Sequence, residues 1–301
     1  MRPMDASVPA PQGDLAEIFP ELGVLRAHAR DGDLEAVLEL LEVLRARDVV
    51  DHTVAVLVLA RAEDPDGTLG QALEEHDDDP TVRVLAAARG LTLGDSTARV
   101  TAEASLVRRC AEDPGNPTAW YLRLVAARDA RLPAGEALRR HDRLQAAASD
   151  HVPGRRVLLE CLRPRGGGSW EGVLDAATSA SEHAPDGSDA HALLAATYLA
   201  AWLAQGPDRS IASLRVPGVI DDIERAATRF AAAPCPSRYG WVAAHTDFAV
   251  LLGLAGRRAS SAGHFRALGA AVDARTWSSV HEHHADLLTI REFALAEGRR
   301  R

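Results

Sequence analysis

The densest set of metal-ligating side chains in the sequence is His281, Glu282, His283 and His284. A zinc-protease helix needs histidines at i and i+4, so that both imidazoles meet one ion. Position 285 is Ala, and that spacing is not met. His281 and His284, three apart, share a helix face, and His264 or Asp286 could complete the set. His264, His281 and His284 are thus the metal candidates. The reading nevertheless expects a solvated polar helix there, with no metal and no cofactor. Two acidic runs raise the question of magnesium-diphosphate chemistry, which all-helical synthases conduct with Asp at i, i+1 and i+4. Asp221-Asp222 is followed at that position by Arg225, and Asp77-Asp78 by Thr81. The first run reads as the opening turn of a helix, where carboxylates suit the positive dipole end. The second reads as a turn before Pro80.

Other nucleophilic and phosphate-binding patterns are also missing. Gly166-Gly167-Gly168-Ser169 has neither the lysine of a phosphate loop nor the strand of a dinucleotide fold before it. It reads as an interhelical loop with Ser169 capping the next helix. No Gly-x-Ser-x-Gly occurs, and Cys110, Cys161 and Cys235 are far apart with no C-x-x-C, as expected for buried thiols in a reducing compartment. His245 and Asp247 interrupt an apolar helix beginning at Trp241. Residues two apart face different sides, so His245 is expected in the core, bonded to a neighbouring helix, with Asp247 in solvent.

Composition narrows the chemistry further. All 34 basic residues are Arg, and no Lys occurs anywhere. Phosphate-loop lysines, pyridoxal Schiff bases and lysine general bases are therefore excluded. A net charge of -9 opposes non-specific nucleic-acid binding. Arg doublets such as Arg108-Arg109 and Arg139-Arg140 point about 100° apart on a helix and rarely make one patch. The start of the chain, with Asp5 and two early prolines after Arg2, resembles neither a signal peptide nor a membrane anchor. The most apolar stretch, 190–204, is too short to span a bilayer and reads as a buried helix.

The elements that must position these groups are helical throughout. Leu34, Val37, Leu38, Leu41 and Leu44 follow the i, i+3, i+4, i+7 rhythm behind a capping Asp33. Stops fall at 64–67, 77–80, 113–117, 152–154, 185–187 and 234–236, and no segment alternates like a strand. Taking Pro80, Pro117, Pro153 and Gly187 as entries, the steps are about 37, 36 and 34 residues, the size of a helical hairpin repeat. A longer step follows, with room for an extra turn around 206–218. Trp120, Trp170, Trp202, Trp241 and Trp277 recur roughly once per unit, as fillers of the junctions between hairpins.

The stretch Cys110 to Trp120 resembles the inter-repeat turn and first-helix Trp of tetratricopeptide-like proteins. Gly168-Ser169, the segment 184–188, Gly256-Arg257, the segment 264–269 and Thr276-Trp277 are similar to an uncharacterised actinobacterial family of helical-repeat proteins. The resemblance spans roughly 22–291 and implies a fold and no reaction. The expectation is an all-α chain of about fourteen helices, an α-solenoid of antiparallel hairpins. Its parts are a disordered tail over 1–13, one helical-repeat domain over 14–297 and a basic tail over 298–301. It is expected to act in the cytoplasm as a scaffold or adaptor that binds a protein or peptide, without touching nucleic acid or membrane and without catalysis. The alternative is an enzyme or small-molecule binder whose site is assembled from distant helices, with His245, His264, His281 and His284 as the places to look.

Overall fold

The computed structural model describes residues 10–206, 210–282 and 287–298. The chain is all-helical, with seventeen α-helices and no strand among the described residues. None of these helices is long and apolar enough to cross a membrane. It divides into two compact units. One runs from Leu15 to Val173, and the other holds Leu174 onward together with the described residues before Leu15.

The first unit contains α1 (Leu15–Ile18), α2 (Pro20–Arg30), α3 (Leu34–Arg47), α4 (Val49–Ala60), α5 (Thr68–Glu75), α6 (Pro80–Leu93), α7 (Ser96–Glu112), α8 (Pro117–Asp129), α9 (Ala134–Ala147) and α10 (Val152–Cys161). Their starts follow from local chemistry. Asp33, Asp48, Asp79, Asp95 and Asn116 each accept a backbone N–H of the helix they precede. Pro occupies the first turn of α2, α6, α8 and α10, where no N–H is required of it. The helix count exceeds the expected fourteen partly because the four-residue α1 and eight-residue α5 form between sequence stops. At the centre, α8 packs against α4, α6, α7, α9 and α10. It is therefore buried over most of its circumference, from Thr118 to Leu124.

α11 (Trp170–His183) begins before the division at Val173 and ends after it. The second unit continues with α12 (Ala192–Leu203), α13 (Pro217–Ala231), α14 (Gly240–Leu254), α15 (Arg258–Leu268), α16 (Ala274–His281) and α17 (Leu287–Gly298). α14 is its hub, packed against α12, α13, α15, α16 and α17. Phe248, Ala249, Val250, Leu251 and Leu252 are all fully buried, each larger side chain contributing roughly 1.5–3 kcal/mol. Arg229 of α13 locks the end of α11, donating to the carbonyls of Ser181, Glu182 and Ala184 and pairing with Asp186. Gly187 sits at φ 84. A Cβ there would lie 2.8 Å from the carbonyl oxygens of both Ala233 and Pro234, so only glycine fits.

Residues 10–13, expected within the N-terminal tail, are instead held by backbone bonds. The Gln12 N–H donates to Ala270 O at 2.7 Å, and its carbonyl accepts from Val272 N at 2.9 Å. Unpaired backbone groups in the α15–α16 connection make this pairing favourable, and Gly13 allows close approach to Ala274. Residues 1–9 and 299–301 lie outside the described residues, while Gly298 belongs to α17 rather than to a tail. Asp221 and Asp222 do not open a helix as expected. α13 starts earlier, at Pro217, which places them in its second turn, where Asp222 pairs with Arg225 at 3.0 Å. Trp120, Trp202 and Trp277 are buried, and Trp170 and Trp241 are half-buried.

Candidate functional site

Among the described residues no three His, Cys, Asp or Glu side chains are arranged to hold an ion. His281 is exposed at the end of α16, and His284 lies outside the described residues. His264, on α15, meets a different partner: its Nδ1 is 2.8 Å from Nδ1 of His245 on α14. With like atoms facing each other, one ring must donate its N–H and the other accept, so the pair shares a single proton. Phe230 packs edge-on against His245 with centroids 4.8 Å apart, and Phe248 stacks on His264 at 5.1 Å. This apolar surround keeps both rings neutral. Burial pulls His245 down to about 4 and His264 to about 3, the latter also lowered by His245 beside it.

His245 thus bonds a neighbouring helix, as the sequence suggested, but it is half-buried rather than interior. Asp247, expected in solvent, is fully buried and accepts from Thr276 Oγ1 at 2.8 Å. The reason is that Asp247 lies where α14 packs against α16, whose Thr276 meets it. Cys110 and Cys161 are buried as expected, whereas Cys235 is half-buried. All three thiols are unpaired, and burial raises the first two to about 11 and Cys235 to about 12. Ser169 caps α11, its Oγ accepting from Gly172 N at 3.0 Å.

A second polar cluster lies inside the first unit, joining α4, α8 and the start of α10. His52 Nδ1 is 2.9 Å from Thr118 Oγ1, Thr118 Oγ1 is 2.9 Å from Thr53 Oγ1, and His151 Nε2 is 3.3 Å from Thr53 Oγ1. Its protons can be assigned. His151 Nδ1 accepts from Gly154 N, so its Nε2 carries the hydrogen and donates to Thr53. Thr53 spends its own hydrogen on Val49 O, so Thr118 must donate to Thr53 and accept from His52. Both histidines are buried, and burial lowers each to about 4. Closed to solvent and satisfied internally, this cluster ties helices together and presents nothing to a ligand.

An open groove of about 630 Å³ runs along α5, α6 and α7 of the first unit. Its floor is made of small residues, Ala86, Ala87 and Gly90 of α6 with Ala98 and Ala102 of α7. One wall carries Thr97, Thr101, Ser105 and Arg108, about one turn apart on α7, and Arg83 and Asp77 stand on the other side. Asp95 at the α6–α7 turn is committed to capping, accepting from Ala98 N at 2.8 Å. The Arg83 Nε donates to Asp77 O at 2.5 Å, and its nearest carboxylate, Glu112, is 4.0 Å away. The lining offers charge and hydroxyls but no imidazole, thiol or amine. No protein-family model, curated protein or solved structure matches this chain.

Nothing in the sequence alone sets this groove apart. Its floor is written in Ala and Gly, which elsewhere in this Ala-rich chain merely permit close helix packing. The usable signal was the one-turn spacing of hydroxyls on α7, which only becomes a wall once α5 and α6 are in place.

Proposed function

We propose that the protein is a helical-repeat binding module of the α-solenoid type that holds a peptide segment of a partner protein in the α5–α7 groove. The carrying observation is the groove itself, sized within the range of ligand sites and lined over much of its length by Ala and Gly, with Leu73 and Val82 beside them. Such a lining lets an incoming chain approach the helix backbones and place its own larger side chains there. The helix starts at Pro80, Pro117 and Val152 support the hairpin-repeat reading, since stacked hairpins expose long binding surfaces. The unpaired thiols accord with action in the cytoplasm.

The test is selection from a displayed peptide library, followed by anisotropy titration of the selected sequences. Ala86 is exposed and lines the groove, so Ala86→Trp fills it without touching the core. Binding should fall by about tenfold or more with unchanged far-UV circular dichroism. Equal binding to both proteins, or no selected peptide at all, overturns the proposal. One observation favours a second reading, a small-molecule site on α13–α15: half-buried His245 brings an imidazole pair close to an aromatic surface. A compound that raises the melting temperature of wild type and not of His245→Ala would support it.

A further inference from the structure

We infer that the groove is directional and selects a peptide bearing an acidic side chain at the end where Arg83 and Arg108 stand, an inference that rests on the peptide-groove reading. The placement follows from the register of the α6–α7 hairpin. A Cβ on Gly90 would lie 3.2 Å from Ala102 Cβ and 3.3 Å from Ala98 O, so residue 90 faces 98–102 across the pair. The two helices run in opposite directions from the turn at Gly94-Asp95. Stepping back seven residues along α6 brings Arg83 opposite 105–109, and Arg108 falls in that range. Both guanidinium groups therefore stand at one end of the groove, together with Asp77 beside Arg83, so the lining there holds one more cation than carboxylate, and the Asp95 carboxylate stands at the other end.

Those two cations are poorly neutralised. Arg83 has Glu112 only at 4.0 Å and gives its Nε to a carbonyl. Arg108 is exposed and has no carboxylate within ion-pair distance among the described residues. On a chain of net charge -9, most of the surface repels an acidic partner, and this end of the groove attracts one. From Arg83 to the turn at Gly94, α6 rises about 16 Å, the length of about five extended residues. The ligand is therefore a short extended segment with an Asp or Glu at one end, followed by apolar side chains over the alanine floor. The α7 hydroxyls would hydrogen-bond its backbone. Because exposed Arg108 does not close that end, the chain can run on past it, which favours an internal acidic side chain over a terminal carboxylate.

The experiment uses the full chain and acetylated, amidated, fluorescein-labelled peptides drawn from the selection above, each made with Glu and with Gln at either end. Glu at one end should tighten binding by about tenfold over Gln, and Glu at the other end should not. Raising salt from about 50 to 200 mM should weaken the Glu peptide and leave the Gln peptide nearly unchanged. The Arg83→Gln, Arg108→Gln double variant should bind both peptides at the Gln level. Equal affinity for Glu and Gln peptides in wild type overturns the inference while leaving the groove reading standing. So does a variant that retains the Glu preference, or tighter binding of a free C-terminal carboxylate than of the side chain. Failure of every peptide to bind, or insensitivity to Ala86→Trp, sinks the groove reading itself.

Discussion

Replacing His151 by Asn should remove about 2 kcal/mol of the stability that the protein loses between pH 7 and pH 5. His151 is fully buried, and burial lowers its pKa to about 4 from an ordinary 6.5. A histidine whose folded pKa is depressed is protonated first in the unfolded chain. Its stabilising effect is therefore complete above about pH 6.5 and drains away as pH falls toward 4. The drop from 6.5 to about 4 corresponds to roughly 3 kcal/mol over the whole window, of which about 2 falls between pH 7 and pH 5. Asn keeps an oxygen able to cap Gly154 N, as His151 Nδ1 does, but it has nothing to titrate. Every other ionisable group is common to both proteins and cancels in the comparison. Urea unfolding followed by circular dichroism at the two pH values gives the two losses directly. Equal losses would refute the reasoning, since they would mean that His151 charges as readily in the folded chain as in the unfolded one.

The Arg229 clamp should behave as a unit: Arg229→Ala should cost about 2 to 4 kcal/mol in urea unfolding, and Arg229→Lys should recover little, because a point charge cannot serve three carbonyls and Asp186 together. For the histidine pair, His264→Phe alone leaves His245 Nδ1 without its partner and should cost about 1 to 3 kcal/mol, whereas adding His245→Leu should bring stability back toward wild type. A double-mutant cycle in urea checks this, and additive losses would show that the two rings are not coupled. Because burial holds the thiols of Cys110 and Cys161 at about 11 and that of Cys235 at about 12, all three should react slowly with a disulfide reagent at pH 8. They should react promptly in guanidinium, and a fast native phase would contradict the burial.

Much of the helical framework was legible because its signals are local. Asp33 caps α3 as its sequence context announces, and Pro80 and Pro117 begin α6 and α8 where the spacing of stops placed them. Positions that depend on a distant neighbour were harder. Asp221 and Asp222 look like the start of a helix, yet Pro217 is an equally good first residue and wins. Nothing local marks Gln12 for pairing, and its backbone bonds go to Ala270 and Val272, more than 250 residues away in the chain.

By itself the sequence determined that the chain is helical, roughly where its helices begin, and which lysine-dependent chemistries it lacks. Those properties depend on side chains within a few residues of each other, or on composition alone. The tertiary structure decided what the polar residues do. His52 and Thr53 meet Thr118 and His151 across 65 to 98 residues of chain, His245 meets His264 rather than an ion, and Asp247 is buried where α14 packs against α16. The groove belongs to that second class as well. Ala86, Gly90 and Ala98 are small residues among many, and only the packing of three helices makes them part of one groove lining.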